Sequence, residues 1–211
     1  MALVETDINQ PDIFLKSLFE AATYSADPRH CLPPQLMGII TSPPKGKVVV
    51  IGAGKAAGSM AQSFEHFWLE NFPAVPLNGI VITRYGHALT CRHIDVIEAG
   101  HPIPDINGTL AADKIFELAN TLTKDDLIVC LISGGCSALL SLPADGIELE
   151  EKRALTQQLL TSGATIHEMN CVRKHLSKIK GGRLAKASYP AQVLTLCISD
   201  VPGDELHTIG S

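Results

Sequence analysis

Three apolar runs constrain the fold of this chain more than any other feature of its sequence. Lys47–Ile51 reads KVVVI, Leu127–Ile132 reads LIVCLI and Val193–Ile198 reads VLTLCI. Continuous apolar runs of this length, without polar alternation, predict strands that are buried on both faces of a sheet. Two shorter apolar runs, at 80–82 and 96–97, predict further strands.

Between these runs the apolar residues recur at helical spacing. The predicted helices are an N-terminal one with an apolar stripe over 13–22 and Asp12 as its cap, then 55–68, 109–122, 149–160 and 170–187, the last loosened by Gly181 and Gly182. The segment 27–46 contains five prolines and predicts mostly loop, with at most a short helix. Buried strands that alternate with helices predict an α/β fold with a mostly parallel sheet and helices on both faces.

Sheets of this type bind ligands in the loops beyond the carboxyl ends of their strands. The rule selects three loops, which follow Ile51, Ile132 and Ile198. All three are rich in glycine, serine, lysine or aspartate. The sequence therefore predicts that any chemistry of this chain is carried by these loops.

The first loop, GAGKAAG at 52–58, has glycines at Gly52 and Gly54 and a lysine at Lys55. Glycines let the backbone approach a phosphate, and the start of the following helix attracts anions. The spacing matches neither the dinucleotide fingerprint nor the P-loop, and Thr83-Arg84 stands where an acidic residue would hold a ribose. The glycines are equally consistent with a tight strand-to-helix turn, and Lys55 with a solvated lysine.

The second loop, SGGCSALL at 133–140, is a further candidate for holding an anion. Its candidate ligands are the backbone of Gly134 and Gly135 and the hydroxyl groups of Ser133 and Ser137. A hydrolase nucleophile elbow would need G-x-S-x-G, which this loop lacks. Cys136 could be a nucleophile, but the sequence does not identify a histidine that would act as its base.

The third loop contains Asp200 and Asp204, whose carboxylates would suit a hydrated Mg²⁺ or form an ordinary turn. Ahead of it, the basic segment 170–183 would place Arg173 and Lys174 on the polar side of a helix. A solvated basic face is the simpler interpretation of this segment. Anionic ligands at the other loops favour a binding role for it.

Composition limits the partners and the compartment. The formal net charge is −5 and the pI about 5.9, which gives no support for nucleic acid or an anionic membrane as partner. The first ten residues lack the apolar core of a signal peptide, and no run approaches the ~18 apolar residues of a membrane-spanning helix. Six cysteines without a C-x-x-C pair favour a reduced, cytoplasmic protein.

Five segments, taken together and in order, identify a protein family more specifically than any one of them does. They read VVVIGAGKAAGSMA, GHPIPD, LISGGCSALL, NCVRKHLSKIKGGRLA and ISDVPGDELHTIGS. In this order they resemble the class II glycerate 2-kinases, a family that also carries the label hydroxypyruvate reductase and is associated with tartrate utilisation. The resemblance runs from about Val48 to Ser211, and more loosely over the N-terminal helix.

The resemblance implies a Rossmann-like three-layer sandwich and an ATP- and Mg²⁺-dependent kinase of glycerate. It assigns a catalytic role to Lys55, phosphate or cofactor contacts to the two glycine-rich loops, and a substrate-binding role to Asn170, Arg173 and Lys174. Asp200 and Asp204 would hold the metal or accept a proton. It also implies that residues 1–211 form an N-terminal domain, with the family's C-terminal domain and a further catalytic arginine absent.

Phosphoryl transfer depends mainly on positioning and on charge stabilisation, which suits the three loops. The predicted reaction moves a phosphoryl group from ATP to the 2-hydroxyl of glycerate and gives 2-phosphoglycerate. Two alternatives stay open, an NAD(P)H-dependent hydroxypyruvate reductase and an inactive nucleotide-binding fragment. The sequence leaves a homo-oligomer open and does not decide which aspartate would hold a metal.

Overall fold

The fold is built on a sheet of five parallel strands. A computed structural model describes residues 10–210 of the chain. The strands are β1 (Val48–Ala53), β2 (Leu77–Arg84), β3 (Ile94–Ala99), β4 (Leu127–Ser133) and β5 (Gln192–Ile198). Their order in the sheet is β3-β2-β1-β4-β5, and every neighbouring pair is parallel.

Helices connect and cover the strands. They are α1 (Pro11–Ala26), α2 (Pro28–Ile39), α3 (Ala57–Asn71), α4 (Ile106–Asn120), α5 (Cys136–Leu139), α6 (Leu149–Thr161), α7 (Ile166–His175) and α8 (Arg183–Ala187), and a short 3₁₀ turn spans Pro202–Asp204. None of the helices between residues 10 and 210 is long and apolar enough to cross a membrane.

Two apolar cores lie on opposite faces of the sheet, because successive side chains of a strand point to opposite faces. Val48 and Val50 of β1 pack with α2 and α3, around the buried Trp68. Val49 and Ile51 pack instead with α4, α5 and α8. The arrangement confirms the predicted α/β fold, a parallel sheet between two layers of helices.

The prediction that 27–46 is mostly loop is wrong over α2. This helix has 12 residues, with Pro33 and Pro34 inside it. Interior prolines remove backbone hydrogen bonds and normally disfavour a helix. Here the Asp27 side chain caps the helix by accepting from the Arg29 N–H at 2.9 Å. Leu32 and Leu36 are buried against α3, and this tertiary packing offsets the local cost.

The prediction of a single helix over 170–187 is also wrong. The chain leaves α7 after His175, and Ser177 forms an antiparallel bridge with Pro143 before α8 begins. Gly181 and Gly182 have φ of 63° and 84°, a left-handed backbone that a helix cannot contain. The break lies earlier than the glycines because backbone bonds to Leu142 and Ala144 replace helical ones.

Strand β5 is not the buried strand that its apolar sequence predicts. It occupies the edge of the sheet, and Val193 is 45% exposed. Helix α1 has the predicted apolar stripe, but none of its residues is buried, and Phe19 is 69% exposed. The apolar patterns of α1 and β5 are typical of buried elements, but within residues 10–210 most of these side chains are exposed or only partly buried. Asp12 lies in the first turn of α1, where Gln10 rather than Asp12 is the N-cap.

The strand order decides where a site can form. From β1 the chain moves outward through β2 and β3, then returns to place β4 on the other side of β1. The connections leave β1 and β4 in opposite directions, so their carboxyl ends border the crevice in which open α/β sheets bind ligands. The first two predicted loops, after β1 and β4, both lie at this crevice.

Candidate functional site at the carboxyl edge of the sheet

The loops after β1 and β4 are joined by hydrogen bonds. The Lys55 N–H donates to the Gly134 carbonyl at 2.8 Å, and the Ala56 N–H donates to Ser133 Oγ at 3.0 Å. The Ser133 hydroxyl oxygen therefore helps to fix the start of α3 beside β4. The two loops predicted separately from the sequence form one structural unit.

Packing between the strands accounts for the first two glycines. Gly52 lies within β1, not in the loop, and a β-carbon there would be 3.0 Å from the carbonyl carbon of Leu131. Gly54 has φ of +142°, and its β-carbon would fall 2.6 Å from the Ser133 carbonyl oxygen. The structural explanation is sufficient for both residues, and their role in cofactor binding stays a prediction.

Asp200, from the loop after β5, reaches across to the glycine pair of the second loop. A β-carbon at Gly134 would lie 2.7 Å from Asp200 Cγ, so a side chain at 134 would collide with this carboxylate. At Gly135 a β-carbon would lie 2.9 Å from His101 Nε2 and 3.5 Å from Lys55 Cε. The absence of side chains at 134 and 135 thus lets an acid, an imidazole and a lysine converge.

The electrostatics of His101 reflect this convergence. Burial lowers the pKa of His101 below its usual value, the positive charges of Lys55 and Arg84 lower it further, and Asp200 acts in the opposite direction. Because burial and the two cations dominate, the imidazole is neutral at pH 7. A neutral imidazole can both donate and accept a hydrogen bond at the site.

Sequence reasoning did not select His101. The signal was available, because His101 follows the carboxyl end of β3, where the rule used for the other three loops applies equally. No partner for His101 is evident in the sequence itself. Its partners come from β1, β4 and β5, and only the folded sheet brings them near.

A cavity of about 210 Å³ lies beside this group, between the second loop, α7 and the loop after β5. Of the residues predicted to form the site, seven line it: Ser133, Gly134, Gly135, Ser137, Asn170, Arg173 and Asp200. Asn170 is buried and its Oδ1 accepts from Arg173 at 3.4 Å, which orients the guanidinium. The cavity combines positive charge, hydroxyl groups and one carboxylate.

The other five predicted residues do not line the cavity: Gly52, Gly54 and Lys55, which belong to the first loop and the strand before it, and Lys174 and Asp204. The Lys174 ammonium donates to the His207 carbonyl and so fastens the loop after β5 to α7. Asp204 is exposed in the 3₁₀ turn, with φ of 52°. Of the two predicted metal ligands, Asp200 is therefore the one that the cavity contains. The roles of Lys174 and Asp204 in binding stay predictions.

Cys136, considered as a nucleophile, is buried at the start of α5. Burial raises the pKa of its thiol, which keeps it protonated and a poor nucleophile. A separate group of potential metal ligands, His167, Glu205 and His207, has ligand atoms within 4.8 Å of one another. All three side chains are exposed, and exposed groups of this kind are common without an ion.

The fold and the site together define a doubly wound α/β protein whose candidate ligand site lies at the topological switch point. A family model described as "Domain of unknown function (DUF4147)" matches residues 14–211. The chain belongs to this family.

Named relatives and a solved structure confirm the resemblance to the glycerate 2-kinases. A "Glycerate 2-kinase" of Pyrococcus horikoshii is 47% identical over 79% of this chain. A protein of Agrobacterium vitis named "Putative hydroxypyruvate reductase" is 51% identical over 93% of it. The crystal structure of a glycerate kinase from Thermotoga maritima superposes with a TM-score of 0.83 and 37% identity, covering 95% of this chain.

The chain spans less than half of each of these proteins. It covers 36% of the Pyrococcus protein, 43% of the Agrobacterium protein and 48% of the Thermotoga chain.

Proposed function

We propose that this chain is the N-terminal domain of an enzyme that transfers a phosphoryl group from ATP to the 2-hydroxyl of glycerate. One observation carries the proposal: Lys55, His101 and Asp200 converge on Gly134 and Gly135 at the switch point of the sheet. Phosphoryl transfer needs such fixed charges around a backbone that phosphate can approach closely. The names of the relatives support the same reaction.

In this proposal Lys55 neutralises charge on the transferring group or orients the carboxylate of glycerate. The glycine pair at 134–135, with Ser133 and Ser137 beside it, holds phosphate. A backbone without side chains, with a carboxylate and a lysine close beside it, fits a phosphate group with a cation. Asp200 would hold Mg²⁺, which would offset phosphate charge, or would accept the hydroxyl proton. His101 is added as a neutral hydrogen-bonding group.

We place the enzyme in the cytoplasm, on the basis of its cysteine usage. A homo-oligomer is consistent with the exposed apolar side chains of α1, and size-exclusion chromatography with light scattering would test it. The remaining part of the active site would come from residues beyond this chain, so the 211 residues alone are expected to bind ligands with little or no turnover.

A reductase is the second candidate, favoured by the name of the Agrobacterium relative and by the strand order, which dinucleotide-binding domains share. Against it, β2 ends on Thr83 and the exposed Arg84, where a dinucleotide-binding domain places an acid for the ribose. The close contact of Gly54 with Ser133 also leaves little room for a pyrophosphate at the first turn.

The experiment supplies glycerate with Mg–ATP, and in parallel hydroxypyruvate with NADH, to the longest natural chain that contains this sequence. The 211-residue chain is assayed beside it. Phosphorus NMR and mass spectrometry would identify 2-phosphoglycerate, which is the expected product, without oxidation of NADH. NADH oxidation with no phosphoglycerate would reject the kinase and favour the reductase.

A further inference from the structure

A second, enclosed cavity lies behind the helix that follows the glycine pair. Its volume is about 30 Å³, and its wall includes Ser137, Ser141, Lys152, Arg173 and Lys180. Ser137 and Arg173 also line the 210 Å³ cavity, so the two spaces share a wall. The small cavity therefore borders the candidate site and is not a separate feature of the surface.

Two of its polar groups have no partner within residues 10–210. Lys152 Nζ and Ser141 Oγ are both buried and neither makes a hydrogen bond there. Lys152 is 9% exposed and Ser141 is 1% exposed. Burying a charge or a hydroxyl without a partner is strongly unfavourable, and native proteins seldom leave two such groups facing one cavity. Their position indicates that something else satisfies them.

The charge around the cavity has one sign. Lys180 is 7% exposed and donates to the Gly210 carbonyl at 2.6 Å, which is a neutral acceptor. Among the ion pairs of the described residues, none involves Lys152, Arg173 or Lys180. Burial lowers the pKa of Lys152 to about 8, and the charges of Lys180 and Arg173 act in the same direction. A fourth cation of the wall, Arg153, is paired with Glu150 at 2.8 Å, so three of the four cations face one small space without a counter-charge.

We infer that this inner cavity is an anion subsite that takes a carboxylate group, held by Lys152 and Ser141 with Lys180 and Arg173 around it. A water molecule needs ~10–15 Å³ of such space, so the cavity holds about two waters or one carboxylate. A triphosphate does not fit. The inference rests on the proposed function in one respect: it names this cavity as the place where the carboxylate of glycerate binds, with the rest of the acid toward Ser137 and the larger cavity.

The test measures ligand binding to the 211-residue chain by isothermal titration calorimetry and by thermal shift, in a buffer low in other anions. Glycerate and acetate are expected to bind saturably and to raise Tm, whereas glycerol, which lacks the carboxylate, is not. Lys152→Met should weaken glycerate binding by about tenfold to a hundredfold, since a hydrogen bond to a charged group is lost. Lys124→Met, which removes an exposed lysine far from the cavity, should bind as the wild type does.

A milder variant protects the test against a folding defect. Ser141→Ala removes only the buried hydroxyl and should weaken binding by about threefold to tenfold. Wild-type protein that gives no saturable response to any carboxylate would overturn the inference. The same conclusion would follow if Lys152→Met and Ser141→Ala both bound glycerate normally, or if inorganic phosphate bound at the site in preference to carboxylates.

Activity of the longest natural chain separates this inference from the proposed function. If that chain forms 2-phosphoglycerate and Lys152→Met raises the KM for glycerate with little change in kcat, both stand. If phosphoglycerate forms with an unchanged KM in Lys152→Met, the carboxylate subsite is wrong while the kinase stands. If no phosphoglycerate forms but carboxylate binding still depends on Lys152, the subsite stands and the kinase falls.

Discussion

The carboxylate of Asp200 lies against the α-carbon of Gly134, so that a β-carbon at position 134 would be 2.7 Å from Asp200 Cγ. The two residues lie in the loops after neighbouring strands, β4 and β5, whose last residues Ser133 and Ile198 are in register. The contact makes the position of the acid dependent on the smallest side chain. Substitution at 134 is therefore a way to move Asp200 without deleting it.

Gly134→Ala should displace the Asp200 carboxylate and lower turnover by the longest natural chain about tenfold to a hundredfold. The backbone at 134 does not have positive φ, so the fold should remain intact. Steady-state kinetics and circular dichroism measure the two effects. Gly38→Ala is the matched control, because a β-carbon at 38 meets nothing within 4 Å. Equal activity of both variants would show that the position of Asp200 is unimportant.

Lys55→Ala should reduce kcat of the same chain by a hundredfold or more, because it removes a preorganised charge from the reacting group. Lys55 is exposed, and thermal stability should change little. Lys124→Ala, also exposed, controls for the loss of a lysine as such. A rate in Lys55→Ala that equals that of the control would remove Lys55 from the mechanism.

The pKa of His101 should be lower than its usual 6.5 and should rise in Lys55→Ala, since one of the repelling cations is then gone. Asp200→Asn should lower it further. NMR titration of the His101 imidazole Hε1 signal in the wild type and in both variants measures these shifts. A His101 pKa that Lys55→Ala leaves unchanged would mean that the two side chains do not share one site.

The same lowered pKa makes stability depend on pH. Between the folded pKa of His101 and 6.5 the unfolded chain binds more protons than the folded one, so this group reduces stability as pH falls through that range.

Lys152→Met should increase the free energy of unfolding at pH 7, without added carboxylate, by about 1–3 kcal/mol. The wild-type lysine has a pKa of about 8 when folded against 10.5 when unfolded, so its charged form is unfavourable in the fold. Between pH 8 and 10.5 the unfolded chain holds the extra proton, and wild-type stability should rise with pH relative to the variant. Urea unfolding from pH 7 to 10 measures the difference, and a less stable variant at pH 7 would contradict it.

Gly54→Ala should destabilise the fold by about 3 kcal/mol or more, since it adds a clash with the Ser133 carbonyl to a backbone φ of +142°. Gly86→Ala separates these contributions, because Gly86 has φ of +77° with open space around it. Its cost should be that of the left-handed backbone alone, about 1–2 kcal/mol. Similar urea midpoints for the two variants would show that the contact with Ser133 does not constrain Gly54.

Local sequence predicted the parallel sheet and the loops that carry the candidate site. Apolar runs such as Leu127–Ile132 specify buried strands wherever they occur, and parallel strands place the loops after them at one edge. The same local reasoning failed at Pro33 and Pro34. There the burial of Leu32 and Leu36 against α3 outweighs the helix-breaking tendency of the prolines, and no local pattern contains that information.

The sequence by itself determined the fold class, the family and the presence of Lys55, the glycine pair and Asp200 near one edge. Only the tertiary structure decided that His101 joins them, that Asp204 and Lys174 lie apart, and that Lys152 faces an inner cavity without a counter-charge. The physical reason is that periodicity and strand composition act over a few residues. Distances between side chains from different strands, and the burial that shifts their pKa values, arise only when the sheet and its helices pack.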